Sequence, residues 1–162
     1  MRLRLPEKEG RLMAVNVLEK KSYVSNSAAI KESIHSYTKG AFDEAVSIYA
    51  DDAEVSDPTG KYKGKAQILA QLKVWHAAFP DSKAEVTNQL TEGDQVLTEV
   101  TFRGTHTGPL AGAMGTFPPT GKRAELNMAI VNWFRNGKVQ REHSYFDLAG
   151  LMQQLGIAPI KS

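Results

Sequence analysis

Apolar positions recur at helical spacing before residue 80 and at two-residue spacing after it. Ile30, Ile34 and Tyr37 fall on one face of a segment from about Asn26 to Thr38. Asn26 or Ser27 can cap that helix, and Gly40 ends it. A short second helix, FDEAVSIYA, puts Phe42, Ala45, Val46 and Tyr49 on its apolar side. AEVSD reads as a short strand, broken by Pro58 and Gly60. A third helix over about Lys65 to Phe79 carries the stripe Ile68, Leu72, Trp75 and Phe79, and FPD stops it.

The remainder reads as strands: KAEVTNQL, then DQVLTEVTFRGTHTG after the turn EGD. A Gly/Pro-rich loop, PLAGAMGTFPPTG, follows. KRAELNMAIVNWF and KVQREHSYFD form a hairpin across RNG, and LAGLMQQLG is a last short helix. Helices first and an antiparallel sheet afterwards make an α+β pattern: three N-terminal helices packed on a curved sheet, a cone with an open mouth. A cone of this size encloses an apolar cavity suited to a small molecule. Alternation assigns faces. Val96, Thr98, Val100, Phe102, Gly104 and His106 form the less charged side of one strand. Leu126, Met128, Ile130, Asn132 and Phe134 form the apolar set of the next. The last strand is ambiguous, with Val139, Arg141, His143, Tyr145 and Asp147 against Gln140, Glu142, Ser144 and Phe146.

Composition narrows the function classes. The 162 residues make one domain with a real core, and the 20 basic and 18 acidic residues leave a formal charge of +2. The basic residues are scattered rather than striped, so nucleic acid is not the expected partner. Cysteine is absent, which removes disulfides and thiolate chemistry and makes a reducing cytoplasm the default compartment. No apolar run approaches the ~20 residues that span a membrane. Residues 1–25 are charged throughout and read as a poorly ordered or partner-docked arm rather than a secretory signal. The domain is expected over residues 26–158, with 159–162 as a tail. The sequence has no HExxH, no GxGxxG and no GxxxxGK[ST]. GTHTG lacks the serine of a nucleophile elbow. Neither a metal nor a cofactor is expected.

Several motifs carry a family resemblance. YADDAEVSDPTG resembles the matching stretch of ketosteroid isomerases. GTHTGPL, PPTGKR, NGKV and FDLAGLMQQLG resemble SnoaL-like polyketide cyclases, also called ester cyclases. Both belong to the nuclear transport factor 2-like superfamily, and the likeness runs from about Ile30 to Pro159. It implies the same cone, commonly dimeric through the outer face of the sheet. It also implies an aspartate base at Asp57. The isomerase pattern wants a tyrosine at position 33 and an acid near 130, where this chain has Ser33 and Ile130. Tyr37, one helical turn on, can reach inward instead. The cyclase pattern wants an aspartate at 144 and a histidine near 130, where this chain has Ser144 and Ile130. In that register Gln140, Glu142, Ser144 and Phe146 face inward, unless a bulge shifts the strand by one residue.

Each candidate has a functional and a structural reading. Asp57 is a general base beside a carbonyl, or a strand-end aspartate accepting backbone amides. His106 polarises a carbonyl or relays a proton, or it bonds a loop backbone. Asn132 and Ser144 hold a substrate oxygen, or bond each other. Glu142, costly to bury unpaired, is a second acid or the partner of a basic residue. His143, Tyr145 and Asp147 fit a dimer surface. Trp75, Phe79, Phe102, Phe134 and Phe146 are core, some of them also touching ligand. His35 and His76 are exposed or packing residues. The expected function is cofactor-free acid/base chemistry on a hydrophobic carbonyl compound, by isomerisation or aldol-type cyclisation. The alternative is a non-catalytic small-molecule binding protein of the same fold.

Overall fold

The computed structural model describes residues 26–112 and 115–157. The arm expected at 1–25 and the tail at 159–162 lie outside the described residues. Helix α1 covers 26–38 and already includes Asn26 and Ser27, so neither precedes it as a cap. Helix α2 is Phe42–Val46 and helix α3 is Lys65–Ala78. The sheet strands are β1 (Tyr49–Asp57), β2 (Gly60–Lys63), β3 (Lys83–Glu92), β4 (Gln95–Thr105), β7 (Arg123–Arg135) and β8 (Lys138–Phe146). A small ribbon, β5 (Leu110–Gly112) with β6 (Gly115–Phe117), stands where the sequence suggests only a loop. Helix α4, Leu148–Leu155, closes the described chain.

The α+β class and the helix-covered curved sheet hold, with two corrections. The sheet order is β2-β1-β8-β7-β4-β3, and β1 runs parallel to β8, so the sheet is mixed rather than antiparallel. Tyr49 and Ala50 belong to β1 rather than to the second helix. The helical stripe ends at Val46, because Val139 N–H donates to the Ile48 carbonyl at 2.8 Å and Tyr49 pairs with Val139. Those bonds draw the chain into the sheet.

Two apolar clusters hold the layers together. One joins Ile30, Val46, Ile68, Val96, Phe134 and Val139. The other joins Phe79, Phe102, Leu110, Leu126, Leu151 and Leu155. Asp147 caps α4 by accepting from Gly150 N–H at 2.8 Å, and Gly156, at φ 69°, ends it.

The loop after β4 crosses the end of α3 without room for a side chain. Thr107 and Gly108 N–H both donate to the Ala78 carbonyl, at 3.1 and 3.2 Å. A Cβ on Gly108 would lie 1.9 Å from the Ala77 carbonyl oxygen, whereas one on Gly112 meets nothing within 4 Å. Gly108→Ala is expected to cost about 1–3 kcal/mol by forcing loop and helix apart, as overpacking does. Gly112→Ala is expected to stay within about 0.5 kcal/mol. Urea denaturation of the two variants side by side checks the contrast.

Candidate functional site

The concave side of the sheet and the helices α1 and α3 enclose a cavity of about 170 Å3. Sheet register sets its floor. Val55, Glu142, Asn132 and Val96 form one row across β1, β8, β7 and β4. Ser144, Ile130 and Thr98 form the next, and Asp57 ends β1 one residue after Ser56, which pairs with His143. Phe146, Met128 and Val100 form a third. Polarity therefore falls along β8 from an acid to a hydroxyl to an aromatic ring. Ile30, Ile34 and Tyr37 of α1, with Ile68, Leu72 and Trp75 of α3, roof the cavity. Tyr37's phenol is pushed up by its burial.

The orientation of β8 turns on one residue. Trp133 pairs with Arg141 but Phe134 with Val139, which leaves Gln140 as a bulge. Val139, fully buried, thus shares the inner side with Glu142, Ser144 and Phe146 although the residue numbers change parity. Gln140 is not among the lining residues. His143 and Tyr145 point outward, the His143 ring lying 5.1 Å from the Trp133 ring and Tyr145 being 57% exposed. Arg141 sits over Trp133 at 4.0 Å on the same outer face.

Glu142 is the most constrained polar group in the cavity. Its Oε2 accepts from Tyr49 Oη at 2.5 Å and Asn132 Nδ2 at 2.7 Å, and its Oε1 accepts from Ser144 Oγ at 3.1 Å. Burial raises its pKa, and the negative charge of Asp57 adds to that. These outweigh the three hydrogen bonds, which pull the other way. Tyr49's phenol is held far above its ordinary range by burial and by Glu142. Asn132 and Ser144 do not bond each other; both bond the glutamate.

Asp57 is fixed differently. Its Oδ1 accepts from Thr59 N–H at 2.6 Å, Thr59 Oγ1 at 2.6 Å and Gly60 N–H at 3.0 Å. Thr59 Oγ1 also lies 2.8 Å from Tyr62 Oη. This is the strand-end turn that an aspartate before Pro58 favours. It locks the plane of the carboxylate and leaves Oδ2 without a protein partner among the described residues. Asp57 lines the cavity, and burial together with the charge of Asp57 raises the Tyr62 phenol.

Tyr37, Trp75, Phe102, Ile130, Asn132, Glu142, Ser144 and Phe146 come together with Asp57 around this cavity. Three other sequence candidates do not reach it. His106 lies past the end of β4 and is fully buried, with Nδ1 3.1 Å from Thr120 Oγ1 and its ring 5.3 Å from that of Phe79. Its backbone takes the loop-binding role: His106 N–H donates to Lys122 and Gly121 N–H donates to His106. Desolvation lowers its pKa. Phe79, stacked 6.0 Å from Trp75, and Phe134 fill the two apolar clusters. His35 is exposed, and His76 packs against Tyr37 and Phe42. Tyr49, Tyr62 and Gln71 are lining residues that the sequence reading passes over. Tyr49 falls at helical spacing with Phe42, Ala45 and Val46, which masks it, and its alternation with Ala53 and Val55 is broken by a register shift in β1. Among the described residues no group of three His, Cys, Asp or Glu is placed to hold a metal ion, and no helix is long and apolar enough to cross a membrane.

The sequence matches the SnoaL-like polyketide cyclase family over residues 29–155. The chain belongs to that family. Solved structures agree on the fold of this SnoaL-like domain. IdmH from Streptomyces antibioticus, a candidate polyketide cyclase, is 26% identical, with a TM-score of 0.68 over 81% of this chain and 98% of that one. AclR from Streptomyces galilaeus, a candidate hydroxylase, is 21% identical, with a TM-score of 0.72 over 86% and 90%. An epoxide hydrolase from M. tuberculosis is 15% identical, with a TM-score of 0.63 over 82% and 90%. Three different reaction names on one fold put the burden of function on the site residues. A search of curated proteins finds no match.

The raised Glu142 pKa has a defined sign in stability. Its neutral form suits the fold, so this contribution is complete below the unfolded value of about 4.3. It is lost as pH rises through the folded value. Glu142→Gln, which cannot ionise, is expected to flatten the fall of stability above about pH 4.3. Thermal melts of both proteins from pH 4 to 8 measure this, and parallel profiles would contradict a buried acid.

Proposed function

We propose that this SnoaL-like protein is an enzyme acting on a hydrophobic carbonyl compound by acid/base chemistry carried by its own side chains, through isomerisation or aldol-type cyclisation. The observation that carries the reading is the pair of unlike carboxyl groups at one end of a mostly apolar cavity. Asp57 is oriented through Oδ1 with Oδ2 free, and Glu142 is buried and biased towards its protonated form. A carboxyl group oriented with one oxygen free, beside a buried acid biased towards its protonated form, divides naturally into a base and an acid. Asp57 Oδ2 takes the proton from the carbon beside the carbonyl. The electron pair moves onto the carbonyl oxygen, where the Glu142 O–H supplies a hydrogen bond to the enolate while Ser144 holds that carboxyl group in place. The proton then returns at another carbon, or the enolate carbon attacks a second carbonyl and closes a ring, the resulting alkoxide taking up the proton held on Asp57.

This places the oxyanion-stabilising acid on β8 at Glu142, in compensation for Ser33 and Ile130 where the isomerase pattern wants a tyrosine and an acid. His106 has no part in the proposal. Ser33 instead donates to the Ala45 carbonyl at 2.7 Å and ties α1 to α2. A second reading, a binding protein without chemistry, is favoured by one observation: the Asp57 turn bonds suffice to explain an aspartate at that place. The absence of cysteine fits a cytoplasmic setting for either.

Asp57→Asn is expected to lower turnover of the substrate by 10²–10⁴, the range of general-base catalysis. Glu142→Gln is expected to lower kcat as well. A loss under about tenfold for Asp57→Asn would favour the binding protein. We also place a homodimer on the outer sheet face, where exposed Leu90 pairs with Leu97, itself paired with Val131, and exposed Tyr145 pairs with Ala129. Sedimentation should give a dimer for the parent chain and a monomer for Leu90→Lys/Tyr145→Lys; a monomeric parent removes this part of the proposal.

A further inference from the structure

The lining of the cavity has a one-sided charge. Asp57 and Glu142 are its ionisable acids, and no lysine, arginine or histidine is among the lining residues described. The ion pairs of the described residues lie elsewhere, at Lys63–Glu54, Lys65–Asp51, Arg103–Glu85 and Arg103–Glu125. Among the described residues Asp57 has hydrogen-bond donors but no cationic partner. Acidic side chains are seldom withdrawn from water without an opposite charge, since desolvation penalises the ion. Here one of the two already responds to burial and to the charge of the other. Six aromatic rings, Tyr37, Tyr49, Tyr62, Trp75, Phe102 and Phe146, share the same wall. Aromatic faces attract cations, most strongly where water is excluded.

We propose that the cavity binds a hydrophobic ammonium compound, with its cationic nitrogen at the Asp57 and Glu142 end and its apolar body against Trp75, Phe102 and Phe146. A metal ion is the wrong cation for this lining. Hard ions want about six to eight oxygen ligands, and the wall offers mostly carbon. The polarity gradient along β8 orients the ligand: Glu142 and Ser144 meet the charged end, and Phe146 meets the apolar end. The inference rests on the reading of this cavity as the ligand site, not on the proton transfer proposed there. Where that chemistry also holds, the substrate brings its own positive charge to a site whose walls have none, and that charge offsets the enolate's.

The test compares three probes of similar size: benzyltrimethylammonium, its uncharged isostere neopentylbenzene, and the anion 4-tert-butylbenzoate. Binding to the full chain is followed by the fluorescence of Trp75, with Trp133→Phe removing the other tryptophan. The cation is expected to bind at least tenfold more tightly than the isostere, and the anion not to bind. In Asp57→Asn the preference should fall towards unity while the isostere still binds. Glu142→Gln serves if that variant does not fold, with a reduced preference expected. Equal or tighter binding of the isostere, binding of the anion, or no binding of any probe at millimolar concentration overturns the proposal. A preference for the cation without any turnover of carbonyl substrates would leave this inference standing and remove the enolate chemistry.

Discussion

The site depends on the parallel pairing of β1 with β8. That pairing sets Val55 beside Glu142 and Ser56 beside His143, and so brings Asp57, at the end of β1, to the cavity that Glu142 and Ser144 line. Without it the two carboxyl groups would lie on strands that do not pair. Parallel neighbours need a long crossover, and here the chain between them holds α3 and most of the sheet. The hydrogen bond from Tyr49 to Glu142, across 93 residues of sequence, is the pairing's inner seal.

Glu142 gathers donors from β1, β7 and β8 onto one carboxyl group. A buried acid held in this way costs stability when ionised and specifies geometry when neutral. Asp57 is held by its own turn, through backbone donors that belong to the next two or three residues. One acid is therefore positioned by tertiary structure and the other by local structure. Changes far along the chain should disturb the first before the second.

Much of this was legible in residue order. The stripes Ile30–Ile34–Tyr37 and Ile68–Leu72–Trp75 gave the roof. The alternation from Val96 to Phe102 and from Leu126 to Phe134 gave the inner side of two strands. The family likeness was readable from GTHTG, PPTG and FDLAGLMQQLG. What alternation could not supply was partnership between strands. Nothing local to AEVSD says that it runs parallel to a strand some 85 residues later, so the mixed sheet and the place of Tyr49 went unread. His106 sat on the correct side of its strand but one residue beyond the strand's end, where the inner side meets Phe79 and Thr120 rather than open space. Phe79 and Phe134 failed for a related reason: a stripe says that a ring is buried, not whether it is buried against protein or against a void.

The bulge at Gln140 reaches beyond the reading of β8. Val139 and Glu142 occupy the same side at an odd separation, which a regular strand forbids. Paired as a regular strand with both intervening residues kept, β8 would turn either the apolar anchor or the acid to solvent; removal of one of them restores an even separation and leaves both inside. Relatives without the extra residue must then present their acid from a different numbered place, so aligning such chains by motif spacing alone will pair a cavity wall with an outer surface.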